Sequence, residues 1–217
     1  MTSVVGICNL ALSHIAAKST IESLNEDSEE ARFCSLHYAP SRDAVLRDHD
    51  WAFARKTVEL AVPSGESAPV RWKYIYTYPS DCLAARRVLT GTSDTHAWPY
   101  VYDHDDWDYS PMIGEAIPFE VGLAADSSGM RIYTGISPAT LAYTAKVNNT
   151  ELFDPLFVEA FSWRLALAVT PSLQVDGDFM KVAAEMYQMS LSRAMTASAN
   201  ERTDAPKGAA PYERARW

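Results

Sequence analysis

The chain has 217 residues, of which 47% are hydrophobic, and a formal charge of −9. That hydrophobic share can build a real core and excludes wholesale disorder. The acidic balance argues against wrapping nucleic acid, which needs basic surface to release counterions from phosphates.

Cys8, Cys34 and Cys82 are an odd set without CxxC spacing, which fits a reducing compartment better than a disulfide scaffold. No Lys or Arg precedes residue 18, and Asn9, Ser13 and His14 interrupt the first apolar run, so no ordinary signal peptide is expected. No run approaches the ~20 apolar residues of a membrane helix. The expectation is a protein made and kept in the cytoplasm, at least until it is assembled into something, with no membrane partner.

In chain order, residues 4–17 predict an amphipathic helix, with Val4, Cys8, Ala11, Leu12 and Ile15 on one face. Asp27 and Glu30 form a capping-box variant that starts a second helix, whose inward face is Ala31, Cys34, Tyr38 and Val45. Pro40 falls inside it and predicts a kink or short break, with Ser41 able to cap the helical residues after the break. Trp51 and Phe53 end the element.

From Thr57 to Val147 the texture becomes strand-like. Residues 57–62 alternate, and Pro63-Ser64-Gly65 ends them as a turn. Residues 71–78 place Trp72, Tyr74, Tyr76 and Tyr78 on one face of a strand, and 82–89, 130–134 and 140–147 are further strands. This rhythm predicts an antiparallel sheet or small sandwich. Helices return with Asp154 as N-cap and Pro155 at the first helical position. Residues 156–169 are apolar enough to be buried, and Pro171 kinks or ends them. Asp176-Gly177-Asp178 is a tight connection, and Phe179, Val182, Met186 and Met189 mark the last helix.

The fold class expected is therefore α+β. N- and C-terminal helical hairpins (1–54 and 151–198) form a helix bundle, with an inserted antiparallel β domain (55–150) and an extended C-terminal arm (199–217). The arm holds four basic and three acidic side chains, leaving −10 on the remainder. Tyr212 and Trp217 are available as apolar anchors; a frayed terminus is the plainer alternative.

Catalytic motifs are not found: there is no P-loop, GxGxxG, HExxH or GxSxG, and Gly135-x-Ser137 runs into Pro138. Cys34-x-x-His37 has helical metal-ligand spacing but no second pair, which favours a structural cysteine and a surface histidine. The densest segment is 95–111, where Trp98, Tyr100, Tyr102, Trp107 and Tyr109 surround His104 and four aspartates. Such Tyr and Trp density is typical of a protein-contact loop. A hairpin packed on its own sheet and a metal site are the alternatives, although the spacing lacks the Gly and distal Glu of an EF-hand.

Four words in order carry a resemblance: Ile7-Cys8-Asn9-Leu10-Ala11-Leu12; EEARFCSLHYAPSRDAVLRDHDWAFA from Glu29 to Ala54; Trp72-x-Tyr74-x-Tyr76-x-Tyr78-Pro79-x-Asp81; and Phe153-Asp154-Pro155-Leu156-Phe157. Over about 1–89 and 117–198 the chain resembles the head-to-tail adaptor of short-tailed bacteriophages, the tail tubular protein A family. Residues 92–116 depart from that pattern. The resemblance implies a structural virion protein, not an enzyme, with no cofactor. It implies a ring, twelve subunits to a virion, between the portal protein and the tail nozzle protein, with DNA passing through without specific binding. It also implies a C-terminal arm reaching onto the portal, where Tyr212, Arg214, Arg216 and Trp217 stand; a planar, multidentate Arg suits such an interface. The competing expectation is a peptidoglycan hydrolase carried in a tail. Glu29, Glu30, Asp43, Glu115 and Glu120 supply carboxylates, but no motif sets two of them at glycosidase spacing.

Overall fold

The computed structural model describes residues 3–17, 19–90, 117–174 and 177–201. The first helix, α1 (Val4–His14), starts where the Ser3 hydroxyl accepts the Gly6 N–H at 2.9 Å and buries Ile7, Cys8, Ala11 and Leu12. The segment after α1 is tied back by the Asn9 amide, which bonds both the N–H and the C=O of Ile21 at 2.8 Å. The second helix, α2 (Glu29–Asp48), is capped by Ser28, one residue later than expected, through the Ala31 N–H at 3.1 Å. Ala31, Cys34, Tyr38 and Val45 are its buried face, as the periodicity predicts.

The expected break at Pro40 does not occur, and Ser41 caps nothing: α2 runs through both. The carbonyl that Pro40 leaves unbonded belongs to Leu36, and both residues lie on the exposed side, where water can serve it. Nor do Trp51 and Phe53 end the helix; it stops at Asp48, and a 3-10 turn over Ala52–Ala54 comes after it.

The third helix, α3 (Pro155–Val169), opens as predicted: Asp154 accepts the N–H groups of Leu156 at 2.8 Å and Phe157 at 3.3 Å, with Pro155 in the first turn. It ends before Pro171. The last helix, α4 (Gly177–Asn200), takes in Gly177 and Asp178, expected in a connection, and Ala199 and Asn200, expected in the arm. Each of the other three helices packs against α3. Phe157 is fully buried and meets Trp51 at 5.1 Å and Phe53 and Phe153 at 4.9 Å between ring centroids. Such edge-to-face pairs add to what burial alone contributes.

The strands are β1 (Arg55–Glu59), β2 (Tyr74–Thr77), β3 (Cys82–Thr90), β4 (Phe119–Leu123), β5 (Met130–Thr134) and β6 (Ala139–Ala145). They form two three-stranded antiparallel sheets, β1-β6-β3 and β2-β5-β4, so the α+β class is borne out. Tyr76, Val88, Ile132, Leu141 and Tyr143, drawn from both sheets, share one apolar core. The turn at 63–65 is present, with Gly65 at φ +78°. Strand β4 is not among the predicted strands, because Gly122 interrupts its alternation. The gap is filled across the pair: a Cβ on Gly122 would lie 2.8 Å from Tyr133 Cε2, so the Tyr133 ring covers the glycine.

Sheet and helices meet through two irregularities of β3. Its register against β6 shifts between Cys82 and Ala84 and again between Ala85 and Arg87, leaving Leu83 and Arg86 as extra residues. Bulges re-aim side chains, and here both turn toward the helices. Leu83 packs against the helical core, and its carbonyl accepts Arg47 Nη1 at 2.7 Å. Arg86 donates through Nη2 to the carbonyls of Arg47 and His49 at 2.8 Å and through Nε to Thr144 Oγ1 at 2.9 Å. Its positive charge thus closes the carbonyl end of α2.

Candidate interaction surfaces

The residues that offer chemistry are mostly occupied by structural bonds. Glu29 and Glu30 lie in the first turn of α2, where their charge suits the helix dipole. Asp43 accepts Arg42 Nη2 at 2.6 Å and faces Lys146 Nζ at 3.3 Å. Glu120 accepts the Trp72 indole N–H at 2.8 Å. Glu115 lies outside the described residues. Cys34 is buried against Cys8, which hydrogen-bonds it and holds its thiol below the ordinary range. No group of three potential metal ligands occurs among the described residues.

A Ser–His pair needs separate treatment, since His14 Nε2 lies 2.9 Å from Ser162 Oγ. Ser162 is fully buried, and its one hydroxyl hydrogen goes to the Glu159 carbonyl at 2.8 Å. Oγ can then only accept from His14, so Nε2 carries the ring proton and no base faces the hydroxyl. The imidazole stacks on Trp163 at 3.6 Å between centroids, and burial pushes its pKa down. This pair locks α1 to α3.

Asp81, the last residue of the aromatic word, is likewise a fastening. Its carboxylate accepts Lys56 Nζ at 2.7 Å and the Tyr143 hydroxyl at 2.9 Å, and its carbonyl accepts the Lys146 N–H at 2.7 Å. The Lys56 bond, first among several causes, holds the Asp81 carboxyl below its usual range. Tyr76 and its neighbours Tyr74 and Tyr78 pack on the sheet core, as expected of one face, while Trp72 lies ahead of β2.

Two outward apolar surfaces lie on the helices, while the β region also leaves Val62, Val70, Leu123 and Met130 exposed. The first surface is an open hollow of about 700 Å³ beside the start of α2. Leu24, Phe33 and Leu36 supply its apolar lining, and Leu36 is 63% exposed. Glu26, Asp27 and Glu29 give it an acidic rim, while the Arg32 guanidinium sits 4.8 Å over the Phe33 ring. The rim is shaped by Glu26, whose carboxylate bonds the Ser28 hydroxyl and the backbone N–H groups of Glu22 and Ser23; these, the Ser28 bond first, lower its pKa.

The second surface is the outer side of α4. Phe179, Val182, Met186 and Met189 recur at steps of three, four and three, which is one stripe of a helix. The face that meets α3 is a different one: Ala183, Tyr187, Ser190, Leu191 and Ala194 are buried. Its small residues let the helices approach closely, and Tyr187 reaches the end of α2, donating to Asp48 Oδ2 at 2.6 Å. Phe179, Val182 and Met189 therefore stay exposed, and Met186 is half-buried. Flexible, polarisable methionines suit a surface that adapts to a partner.

The arm residues Tyr212, Arg214, Arg216 and Trp217 and the loop residues Trp98, Tyr100, Tyr102, Trp107 and Tyr109 lie outside the described residues. Sequence reasoning found the α4 stripe without its direction, and it missed the hollow. The signal was present in Leu36, which sits off the buried positions of α2. No protein-family model matches the chain, and no curated protein matches it as a relative.

Proposed function

We propose that this chain is a head-to-tail adaptor of a short-tailed bacteriophage, a ring subunit between portal and tail nozzle through which DNA passes. The observation that carries the proposal is the pair of outward apolar surfaces, the hollow at the start of α2 and the stripe on α4. They are surfaces for assembly, and they belong to the helical region, the part expected to meet the portal and neighbouring subunits. The order of the four sequence words supports the same reading.

In this proposal the helices around α3 act as one bundle, and the sheets between them point toward the nozzle. The aromatic residues Trp98 to Tyr109 serve as a protein-contact loop, and the segment after α4 anchors on the portal through Tyr212, Arg214, Arg216 and Trp217. A ring of acidic subunits repels DNA phosphates, so the genome passes without sticking; wall charges beyond ~8–10 Å of the duplex contribute little. A channel lined mainly by Lys and Arg would count against that last point.

The test is to mix the purified chain with the portal of its own phage and weigh the product by native mass spectrometry. One adaptor per portal subunit is the expected result; a chain that stays monomeric beside its portal overturns the proposal. Deleting residues 202–217, which leaves α4 whole, should keep the fold and weaken portal binding. Stable portal rings formed by the shortened chain would remove the arm from its role.

A further inference from the structure

Cys8 on α1 and Cys34 on α2 stand on the inward faces of their helices, both fully buried, and the two thiols share a hydrogen bond. Cys82, the third cysteine, is half-buried and packs with the sheet core. The bond between Cys8 and Cys34 makes the two sulfurs unequal. Cys8 donates and Cys34 accepts, which lowers the Cys34 pKa, while the same bond and burial push the Cys8 thiol up. Thiolate is the attacking form, so Cys34 is the nucleophile of the pair and Cys8 the sulfur that follows it. Tyr38 adds a donor. It stands one turn beyond Cys34 on the buried face of α2, and its hydroxyl is buried with no hydrogen-bond partner among the described residues. Burial first, and then the neighbouring Cys8, push its pKa up to about 12, so it keeps its proton and can donate to a thiolate.

We propose that Cys8 and Cys34 are a reversible redox staple: they remain thiols in a reducing compartment, and exchange with a low-molecular-weight disulfide links them and ties α1 to α2. The Cys34 thiolate attacks one sulfur of the small disulfide and displaces a small thiol. The Cys8 sulfur then attacks the Cys34 sulfur of the mixed disulfide and displaces the second small thiol. One S–S bond is broken in the reagent and one is made in the protein, and the two cysteine protons end on the two small thiols.

Burial sets the condition for the reaction. Both sulfurs are covered, so the reagent enters only when α1 lifts from the body. That helix leans on α3 far more than on α2, and its polar ties are the His14 bond to Ser162 and the Asn9 bonds to Ile21. Once made, the link spans the 25 residues between the two cysteines and restricts the unfolded chain, while α1 can no longer part from α2. The staple concerns one chain alone and stands apart from the adaptor reading.

The experiment uses the unmodified full chain, so no substitution can unfold it. The native protein is incubated with bis(2-hydroxyethyl) disulfide, its remaining thiols are capped with iodoacetamide in urea, and it is digested with trypsin without reduction. Each cysteine lies in its own tryptic peptide, Met1–Lys18, Phe33–Arg42 and Tyr74–Arg86. The expected result by mass spectrometry is the first two peptides joined, two hydrogens lighter than their sum, with the Cys82 peptide outside the link. The linked chain should melt about 5 °C above the same sample after reduction, by circular dichroism. Cys8 and Cys34 peptides recovered separately, Cys82 linked to either of them, or a link that forms only when the reagent is added in urea overturns the proposal. A linked chain that melts no higher than the reduced one overturns it as well.

Discussion

Replacing Arg86 with Met tests whether the bulge in β3 joins the sheets to the helices. Met keeps most of the apolar stem and removes every donor. Three bonds are lost, to the carbonyls of Arg47 and His49 and to Thr144 Oγ1. The bonds to His49 and Thr144 are partly buried, and charge-assisted bonds of that kind contribute about 1–2 kcal/mol each after allowing for solvent. The exposed bond to Arg47 adds little, because water replaces it. Loss of a cation at the carbonyl end of α2 adds about 0.3–1 kcal/mol. The expected destabilisation is therefore about 2–5 kcal/mol. With a urea slope of about 2 kcal/mol per molar, the midpoint should fall by about 1–2.5 M. Tryptophan fluorescence, in a background that keeps only Trp51 and Trp163 with the other four tryptophans replaced by Phe, follows the helical core, and far-UV circular dichroism follows the whole chain. Since Arg86 bridges two apolar cores, the variant should also separate the two signals, with a shallower slope. Arg86→Lys should recover only part of the loss, because one ammonium cannot span three acceptors. A midpoint shift below about 0.3 M, with both signals still coincident, would refute the account of the joint.

Gly122→Ala sets a methyl 2.8 Å from Tyr133 Cε2 and should cost about 1–3 kcal/mol of stability in thermal or urea melts; Gly122→Ala combined with Tyr133→Ala should relieve part of that strain. Asp154→Ala removes the cap of α3 and should cost about 1 kcal/mol, with Asp154→Asn recovering most of it, as read by urea midpoints. Burial lowers the folded pKa values of His14 and His49, so the unfolded chain takes up protons first as pH falls. Their contribution is complete above about pH 6.5 and is lost as pH drops through the folded values, ahead of any carboxylate such as Asp81. Urea midpoints should therefore fall between about pH 7.5 and pH 5, and His14→Gln should flatten that slope.

Much of the local structure was legible in the residues because local rules decide it. Asp154 followed by Pro155 marks a helix start wherever it packs, and Gly65 after Pro63 turns the chain because only glycine takes φ +78° without strain. The buried face of α2 follows from four apolar residues at helical spacing. Other features turn on what lies across from a residue. Pro40 stays inside α2 because the carbonyl it orphans faces water. Gly122 stands in a strand because the Tyr133 ring lies over it from a residue eleven positions later. Arg86 and Leu83 reach the helices because two register shifts against β6 turn them there. The stripe on α4 shows the limit most clearly. Its periodicity declares a helix with an apolar side, but the same helix has a second row, Ala183, Tyr187, Ser190, Leu191 and Ala194, and packing against α3 chose that one. Periodicity names the faces of a helix; packing against α3, together with the Tyr187 bond to Asp48 at the end of α2, selected the face that was buried and left Phe179, Val182 and Met189 outside.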